Sequence, residues 1–260
     1  MSRRPASREA WITHLTRTVK ITLAYDGTRY VGWQRQAEGV SIQGLVEEAL
    51  ARFEGQPVTV HGAGRTDTGV HALGQVASAQ LSGGHETRDL LRGLNALLPR
   101  DVRVMHVDEA AADFHARFSA RAKAYRYAIR NAPIVSPFEY PFVWHVPDRL
   151  DVAAMQAAAA TLTGTHDFAC FRSAGTTIRN TTRTITESRI DAVEDLITYH
   201  VAANGFLHHM VRAIAGTLVD VGRRRRPPES LPALLDGGLR AEAGPTAPPQ
   251  GLFLVSVTYD

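Results

Sequence analysis

Apolar residues in the first hundred positions recur with two different periods. Alternation of apolar and polar positions is the pattern of a half-buried strand, and it predicts strands at residues 19–25, 58–62, 75–81 and 102–107. Helical spacing begins after Ser41, a suitable N-cap, and stops at Gly55, and it recurs over residues 87–98. The resulting order, β-α-β-β-α-β, is that of a ferredoxin-like unit.

The second half of the chain has a similar outline. The pattern predicts strands at residues 120–130, 182–190, 196–203 and 252–259, and helices from Asp151 to near Gly164 and over residues 206–222. Residues 237–250, rich in Gly, Pro and Ala, are predicted to be a loop. We therefore predict an α+β fold in which two ferredoxin-like, or RRM-like, halves share a mainly antiparallel sheet.

The domain organisation follows from a boundary near residues 108–113, where no Gly/Ser-rich or Pro-rich linker occurs. We predict a basic N-terminal extension at residues 1–17, an N-terminal half at 18–112 and a C-terminal half at 113–260. The extension lacks the apolar core of a signal peptide, and no apolar run reaches the roughly 18 residues that span a membrane. We expect no membrane association and a cytoplasmic location.

Charge makes a nucleic-acid partner plausible without establishing one. The formal net charge is +3, and all but two of the 29 basic residues are arginines, the exceptions being Lys20 and Lys123. Arginine has a planar fork suited to phosphates and base edges, although a coding bias towards arginine gives the same count. The single cysteine, Cys170, excludes an internal disulfide and a Cys-rich zinc site.

The segment HGAGRTDTGVHA, residues 61–72, carries the strongest chemical signal. Its glycines permit tight turns around one carboxylate, Asp67, with Arg65 two residues before it. Alone, such a loop is more often an ordinary Asx turn with a surface ion pair. It fails the dinucleotide and P-loop patterns, which require Gly at position 67 and Lys after the second Gly. A metal site is not expected, because the adjacent His208 and His209 would point apart on a helix.

With this loop, further segments resemble the tRNA pseudouridine synthase A family, over about residues 18–260. The matching segments, in order, are YDGT (25–28), YVGWQRQ (30–36), GRTDTGVHA (64–72), LNALLP (94–99), FHARF (114–118), YRY (125–127), GTHDF (164–168), GFLHHMVR (205–212) and APPQGL (247–252). One departure lies beside the key residue, since the family commonly has Ala where Thr68 stands.

The resemblance implies a cofactor-free isomerase that converts uridine to pseudouridine at positions 38, 39 and 40 of the tRNA anticodon stem-loop. Asp67 matches the family's catalytic aspartate, and its role as nucleophile or as general base stays open. Arg212 matches an arginine expected to pair with Asp67, which places an active-site cleft between the halves. Arg65 is the alternative partner for Asp67, or a phosphate contact.

The resemblance also implies a substrate-binding role for Tyr125, an aromatic that can stack on a base withdrawn from its helix. Tyr127 fits the role of a buried aromatic that packs across strands better than Tyr125 does. The implied partners are tRNA and a second copy of the chain in a homodimer, without a metal. Candidate RNA contacts are Arg29, Arg35, Arg117, Arg121 and Arg126. The run Arg223–Arg226 departs from the family pattern, and we assign no specific RNA contact to it.

Two other functions are disfavoured by the sequence. A non-catalytic RRM-like RNA-binding module would show an aromatic-rich RNP pattern on its central strands, and no such run occurs. A small-molecule enzyme with a nucleotide-binding loop is disfavoured by the failed P-loop and dinucleotide patterns.

Overall fold

Ten strands and five α-helices account for the architecture in a computed structural model that describes residues 16–173 and 179–260. The first half contains β1 (Arg17–Tyr25), α1 (Ile42–Glu54), β2 (Val60–Gly62), β3 (His71–Leu81), α2 (Thr87–Leu97) and β4 (Val102–Ala110). The second half contains β5 (Ala122–Arg130), β6 (Trp144–His145), α3 (Val152–Ala160), β7 (Gly164–Asp167), β8 (Thr182–Val193), β9 (Leu196–Ala203), α4 (Met210–Gly222), α5 (Ser230–Leu235) and β10 (Leu252–Thr258).

Local signals set several of these boundaries. The Ser41 hydroxyl accepts a hydrogen bond from the Gly44 N–H, which satisfies one of the free donors at the start of α1. Gly55 ends the same helix in the left-handed conformation, with φ of 66°. The Asp151 carboxylate caps α3 in the same way by accepting from the Ala154 N–H. These ends agree with the sequence prediction.

All ten strands form one sheet, whose main path is β4-β1-β3-β10-β5-β9-β8-β7. The first half supplies β4-β1-β3, with β2 pairing with β3 off the main path, and the second half supplies β10-β5-β9-β8. Each set has the strand order of a ferredoxin-like unit. Pairing is antiparallel except at β10–β3 and β5–β6. The predicted fold class is thereby confirmed, while the division into residues 1–17, 18–112 and 113–260 stays a prediction, with residues 1–15 outside the described residues.

The strand β10 joins the two halves. Leu254 pairs with Ala72 of β3 on one side and with Tyr125 of β5 on the other. Neighbouring strands lie about 4.8 Å apart, so the end of the Asp67 loop is about 10 Å from the backbone of Tyr125. The sheet therefore places the candidate residues of both halves within side-chain reach of one another.

Three details differ from the sequence prediction. The helix expected over residues 206–222 begins only at Met210, because His209 has a φ of 62° that no α-helix contains. The helix expected to reach Gly164 ends at Ala160, and Gly164 opens the short strand β7. The elements β6, β7 and α5 were not predicted, since each is too short to show a period. Within the described residues, no helix is long and apolar enough to cross a bilayer.

A substitution at Gly216, on the buried face of α4, tests how this helix packs against residue 245 of the segment before β10. A Cβ there would lie 1.7 Å from the Pro245 carbonyl oxygen. We expect Gly216→Ala to lower the free energy of unfolding by ~2 kcal/mol or more, because backbone must move to admit the methyl group. Urea denaturation measures this.

The matched control is Gly84→Ala, because nothing lies within 4 Å of a Cβ at that exposed position. It should leave the stability unchanged within ~0.5 kcal/mol or raise it slightly. Equal stability of the two variants would contradict the packing of α4 against residue 245.

Candidate active site

The loop between β2 and β3 presents Asp67 from a tight turn. The Val70 N–H donates to the Asp67 carbonyl at 3.1 Å, and Gly69 between them has a φ of 77°. A positive φ at the third residue is typical of a type II turn, and it favours glycine there. The turn leaves the Asp67 side chain projecting, about a quarter exposed.

Thr66 fixes this loop to the first half. Its hydroxyl lies 2.9 Å from the buried Tyr25 hydroxyl, and its carbonyl accepts from the Trp33 N–H at 3.0 Å. Gly32 permits the approach, since a Cβ there would lie 2.4 Å from the Thr66 oxygen. Three segments of the family resemblance thus meet at one residue beside Asp67.

His71 secures the far end of the loop as a neutral ring. The Gly27 N–H donates to Nδ1 at 3.0 Å, and Nε2 lies 3.1 Å from the Pro141 carbonyl and 3.2 Å from that of Gln250. Burial lowers the pKa of His71 despite the opposing charge of Asp26. Although Asp26 lies near Nδ1, the donor from Gly27 requires a lone pair there. We therefore assign the neutral Nε2–H tautomer and a structural role.

Arg212 binds Asp67 from the second half of the chain. Its Nη1 donates to Oδ2 of Asp67 at 2.9 Å, and its Nε donates to the Ala247 carbonyl at 2.8 Å. The Ala247 N–H in turn donates to the Arg212 carbonyl at 3.0 Å. The guanidinium, largely buried in the first turn of α4, is thus held at both ends and oriented towards the carboxylate.

Sequence reasoning missed His208 and His209, which also face Asp67. Their Nε2 atoms lie 3.4 Å from Oδ1 and 3.2 Å from Oδ2, and the two rings are 3.8 Å apart. The expectation that they point apart on a helix was wrong, because both precede α4 in a turn. Burial, the largest influence, lowers the pKa of His209. Adjacent histidines before a Met-Val-Arg helix start were the available signal.

The same three residues are the one group in the described parts of the chain whose ligand atoms could hold a metal ion, all within 4.8 Å of one another. Arg212 already donates to one of those carboxylate oxygens, and its positive charge opposes a cation there. The expectation of a metal-free protein stays a prediction.

Tyr125 lies beside this cluster with its hydroxyl free. The ring packs edge-on against Phe206 at a centroid distance of 5.0 Å. Burial raises the pKa of Tyr125, with smaller contributions from Tyr25 and Asp67, so the phenol stays protonated at neutral pH. Within residues 16–173 and 179–260 its hydroxyl makes no hydrogen bond. Tyr127, by contrast, is fully buried and donates to the Pro248 carbonyl at 2.7 Å.

The remaining candidate arginines fall into three groups. Two of them, Arg117 and Arg126, lie over the rings of Phe118 and Phe253. Arg65 is exposed and forms no ion pair within the described residues, so the structure brings Arg212 and not Arg65 to Asp67. The paired arginines, with their partners, are Arg29 with Asp101, Arg35 with Glu47, Arg121 with Asp260, Arg223 with Asp148, Arg224 with Asp151 and Arg225 with Asp220. The last of the run, Arg226, donates to the Glu242 carbonyl. The run is therefore not a free basic patch.

Comparison with known proteins adds the family. A family model described as tRNA pseudouridine synthase matches residues 21–119 and 158–260. Proteins named tRNA pseudouridine synthase A are similar over nearly their whole lengths. Those from Syntrophotalea carbinolica and Moorella thermoacetica are each 46% identical over 93% of this chain. The matches cover 96% and 99% of the two relatives. That from Geobacter sulfurreducens is 47% identical over 94% of this chain and the whole of that protein.

A similarity to the solved archaeal box H/ACA sRNP Nop10-Cbf5 complex covers 77% of this chain and 44% of that chain, at 12% identity and a TM-score of 0.32. A score this low carries no weight for fold or function. The sequence matches span both halves and include the loop of Asp67 and the helix of Arg212. The chain belongs to the tRNA pseudouridine synthase family.

Proposed function

We propose that this protein isomerises uridine to pseudouridine in tRNA, without a cofactor, at the cluster formed by Asp67, Arg212 and Tyr125. One observation carries the proposal: the family's loop presents a carboxylate that is oriented by an arginine of the other half and lies beside a tyrosine with a free hydroxyl. The C1′–N1 bond breaks, the uracil turns and a C1′–C5 bond forms. The proton on C5 is released and N1 takes up a proton, so the product is an isomer of the substrate.

Asp67 is the reactive group in this proposal. Its Oδ2 accepts from Arg212, so the carboxylate is fixed in orientation, and Oδ1 lies 3.4 Å from Nε2 of the exposed His208. From there it can attack the sugar or base as a nucleophile, or remove a sugar proton as a general base. Tyr125 supplies an apolar face for the base and a hydroxyl near its C5 proton.

The finer assignments rest on the family resemblance. We propose that the target uridines are at positions 38, 39 and 40 of the anticodon stem-loop, that Arg65 contacts the RNA, and that the enzyme works in the cytoplasm without a metal. We also propose a homodimer. The loop after β5 supports it, since Ile134 and Phe138 are 84% and 88% exposed, an arrangement typical of a surface covered by a partner.

Removing the Asp67 carboxylate should abolish the reaction. With tRNA carrying 5-tritiated uridine, we expect the wild type to release tritium and Asp67→Ala to release it at least ~10³-fold more slowly, the upper range for a positioned acid, base or nucleophile. Binding of tRNA should change less than ~3-fold. Release by both proteins would identify the wrong carboxylate, and no release by the wild type would favour the RNA-binding module.

Arg212 should orient the Asp67 carboxylate through the fixed geometry of its guanidinium group, and not through its positive charge alone. Arg212→Lys replaces two donors of fixed spacing by a single ammonium nitrogen on a shorter side chain, so the Asp67 carboxylate loses its orientation and the kcat of tritium release should fall ~10²-fold. The matched control, Arg225→Lys, changes an exposed arginine paired with Asp220 and should leave kcat unchanged. An Arg212→Lys variant with normal kcat would remove the positioning role.

The two tyrosines should separate chemistry from stability. Tyr125→Phe keeps the ring against Phe206 but loses the free hydroxyl, so kcat should fall ~10-fold or more while KM and the melting temperature stay the same. Tyr127→Phe loses the bond to the Pro248 carbonyl and should cost ~1 kcal/mol of stability with a smaller change in kcat. Equal kcat values for the two variants would argue against a chemical role for the Tyr125 hydroxyl.

A further inference from the structure

Lys123 shares a face of the sheet with Tyr125. The two residues are separated by one position on β5, and side chains two apart on a strand project to the same side, about 7 Å from each other. Lys123 is only partly exposed and pairs in register with Ala203 of β9 and Val257 of β10. The Lys123 side chain therefore lies on the same face of the sheet as Tyr125 and close to it.

No carboxylate in residues 16–173 and 179–260 pairs with this charge. Burial lowers the pKa of Lys123, and the positive charges of Arg117 and Arg183 lower it further. None of these three residues has an acidic partner in the described part of the chain, whereas the chain's other lysine, Lys20, lies 3.5 Å from Asp108. Partly buried charges are normally paired. Lys123 and Arg183 are partly buried, lie near the exposed Arg117 and have no counter-ion among the described residues, so together they indicate a site for an anion.

The cluster borders the candidate active site on two sides. A Cβ built at Gly64, three residues before Asp67, would lie 3.5 Å from Nζ of Lys123. A Cβ at Gly205 would lie 3.5 Å from Nε of Arg183, and the next residue is Phe206, whose ring packs on Tyr125. Arg183 is held in place by donating to the carbonyls of Asn180 and Thr182.

We propose that Lys123, with Arg117 and Arg183, binds a phosphodiester of the RNA backbone next to the nucleotide that enters the active site. The assignment rests on the proposed function. The distance from Lys123 to Tyr125 is one that a single nucleotide spans. A phosphate there supplies the missing negative charge and holds the strand while the target base leaves its stack.

The charge of Lys123 is removed in Lys123→Met, which keeps an unbranched apolar side chain of similar length. The slope of log K for tRNA binding against log salt should become shallower by about 0.7 to 0.9, the contribution of one phosphate. At low salt the KM for tritium release should rise about tenfold with kcat changed less than about threefold. Lys123→Arg should restore most of the slope.

Lys20→Met is the matched control, since Lys20 is paired with Asp108 on the sheet, and it should leave slope, KM and kcat unchanged. Folding is monitored by thermal melting. Because burial disfavours the charged form of Lys123, the melting temperature of Lys123→Met should equal or exceed that of the wild type. Weak binding is then not a result of unfolding.

A second measurement uses the fact that the chain contains only two lysines. Reductive methylation followed by peptide mass spectrometry should show Lys123 protected by tRNA and Lys20 unaffected. Inorganic phosphate at the same phosphate concentration should protect Lys123 far less. Equal protection by inorganic phosphate would overturn the assignment to the RNA backbone.

An unchanged salt slope and KM in Lys123→Met would overturn the site even if the wild type releases tritium. Absence of tritium release by the wild type, with a normal salt slope for tRNA binding that Lys123→Met reduces, would instead refute the proposed reaction and keep the phosphate site. The two proposals can therefore fail separately.

Discussion

The ion pair between Asp67 and Arg212 is the contact on which the site depends, because its two members come from different halves of the chain. Asp67 is carried by a loop of the first half and Arg212 by a helix of the second. Removing one member of a fully buried pair costs about 3 to 5 kcal/mol, and less here because Asp67 is still partly exposed. The carboxylate is therefore held in place only when the two halves have come together in the sheet.

Each partner is held by backbone groups as well as by the other. The carbonyl of Ala247 accepts from Arg212, while Thr66, beside Asp67, is bound to Tyr25 and to the Trp33 amide. Such constraints leave little freedom for either side chain, so the geometry exists before a substrate arrives. Positioning of this kind is what electrostatic and nucleophilic catalysis require of a protein.

The sequence predicted elements wherever a local signal was sufficient. Ser41 and Gly55 bound α1 by capping chemistry, and alternating apolar residues defined β1, β5 and β9. It failed where a tertiary contact decides. The short strand β7 forms by pairing with the edge of β8, and its four residues are too few to show a strand pattern in the sequence. In the run Arg223–Arg226, the first two arginines pair with Asp148 and Asp151, which are more than 70 residues earlier in the chain.

The site was predictable to a similar degree and for similar reasons. The family resemblance selected Asp67, Arg212, Tyr125 and Arg65, and it predicted the pairing of Arg212 with Asp67 that the structure contains. It did not predict the two histidines beside that pair. Periodicity continued the α4 helix back to residue 206, and this hid the histidine pair, because a positive φ at His209 leaves no trace in an apolar pattern. That Lys123 has no counter-ion among the described residues is likewise apparent only from its three-dimensional neighbours.

Register in the sheet connects these separate observations. Leu254 of β10 stands between Ala72, at the end of the Asp67 loop, and Tyr125 on β5. Side chains alternate along a strand, so a slip of one residue in β5 would turn Tyr125 to the opposite face and Lys123 with it. The pairing of β10 with both halves therefore fixes the distance from the carboxylate to the tyrosine and the side on which the cations lie. A strand with no reactive side chain of its own thus determines the geometry of the reaction site.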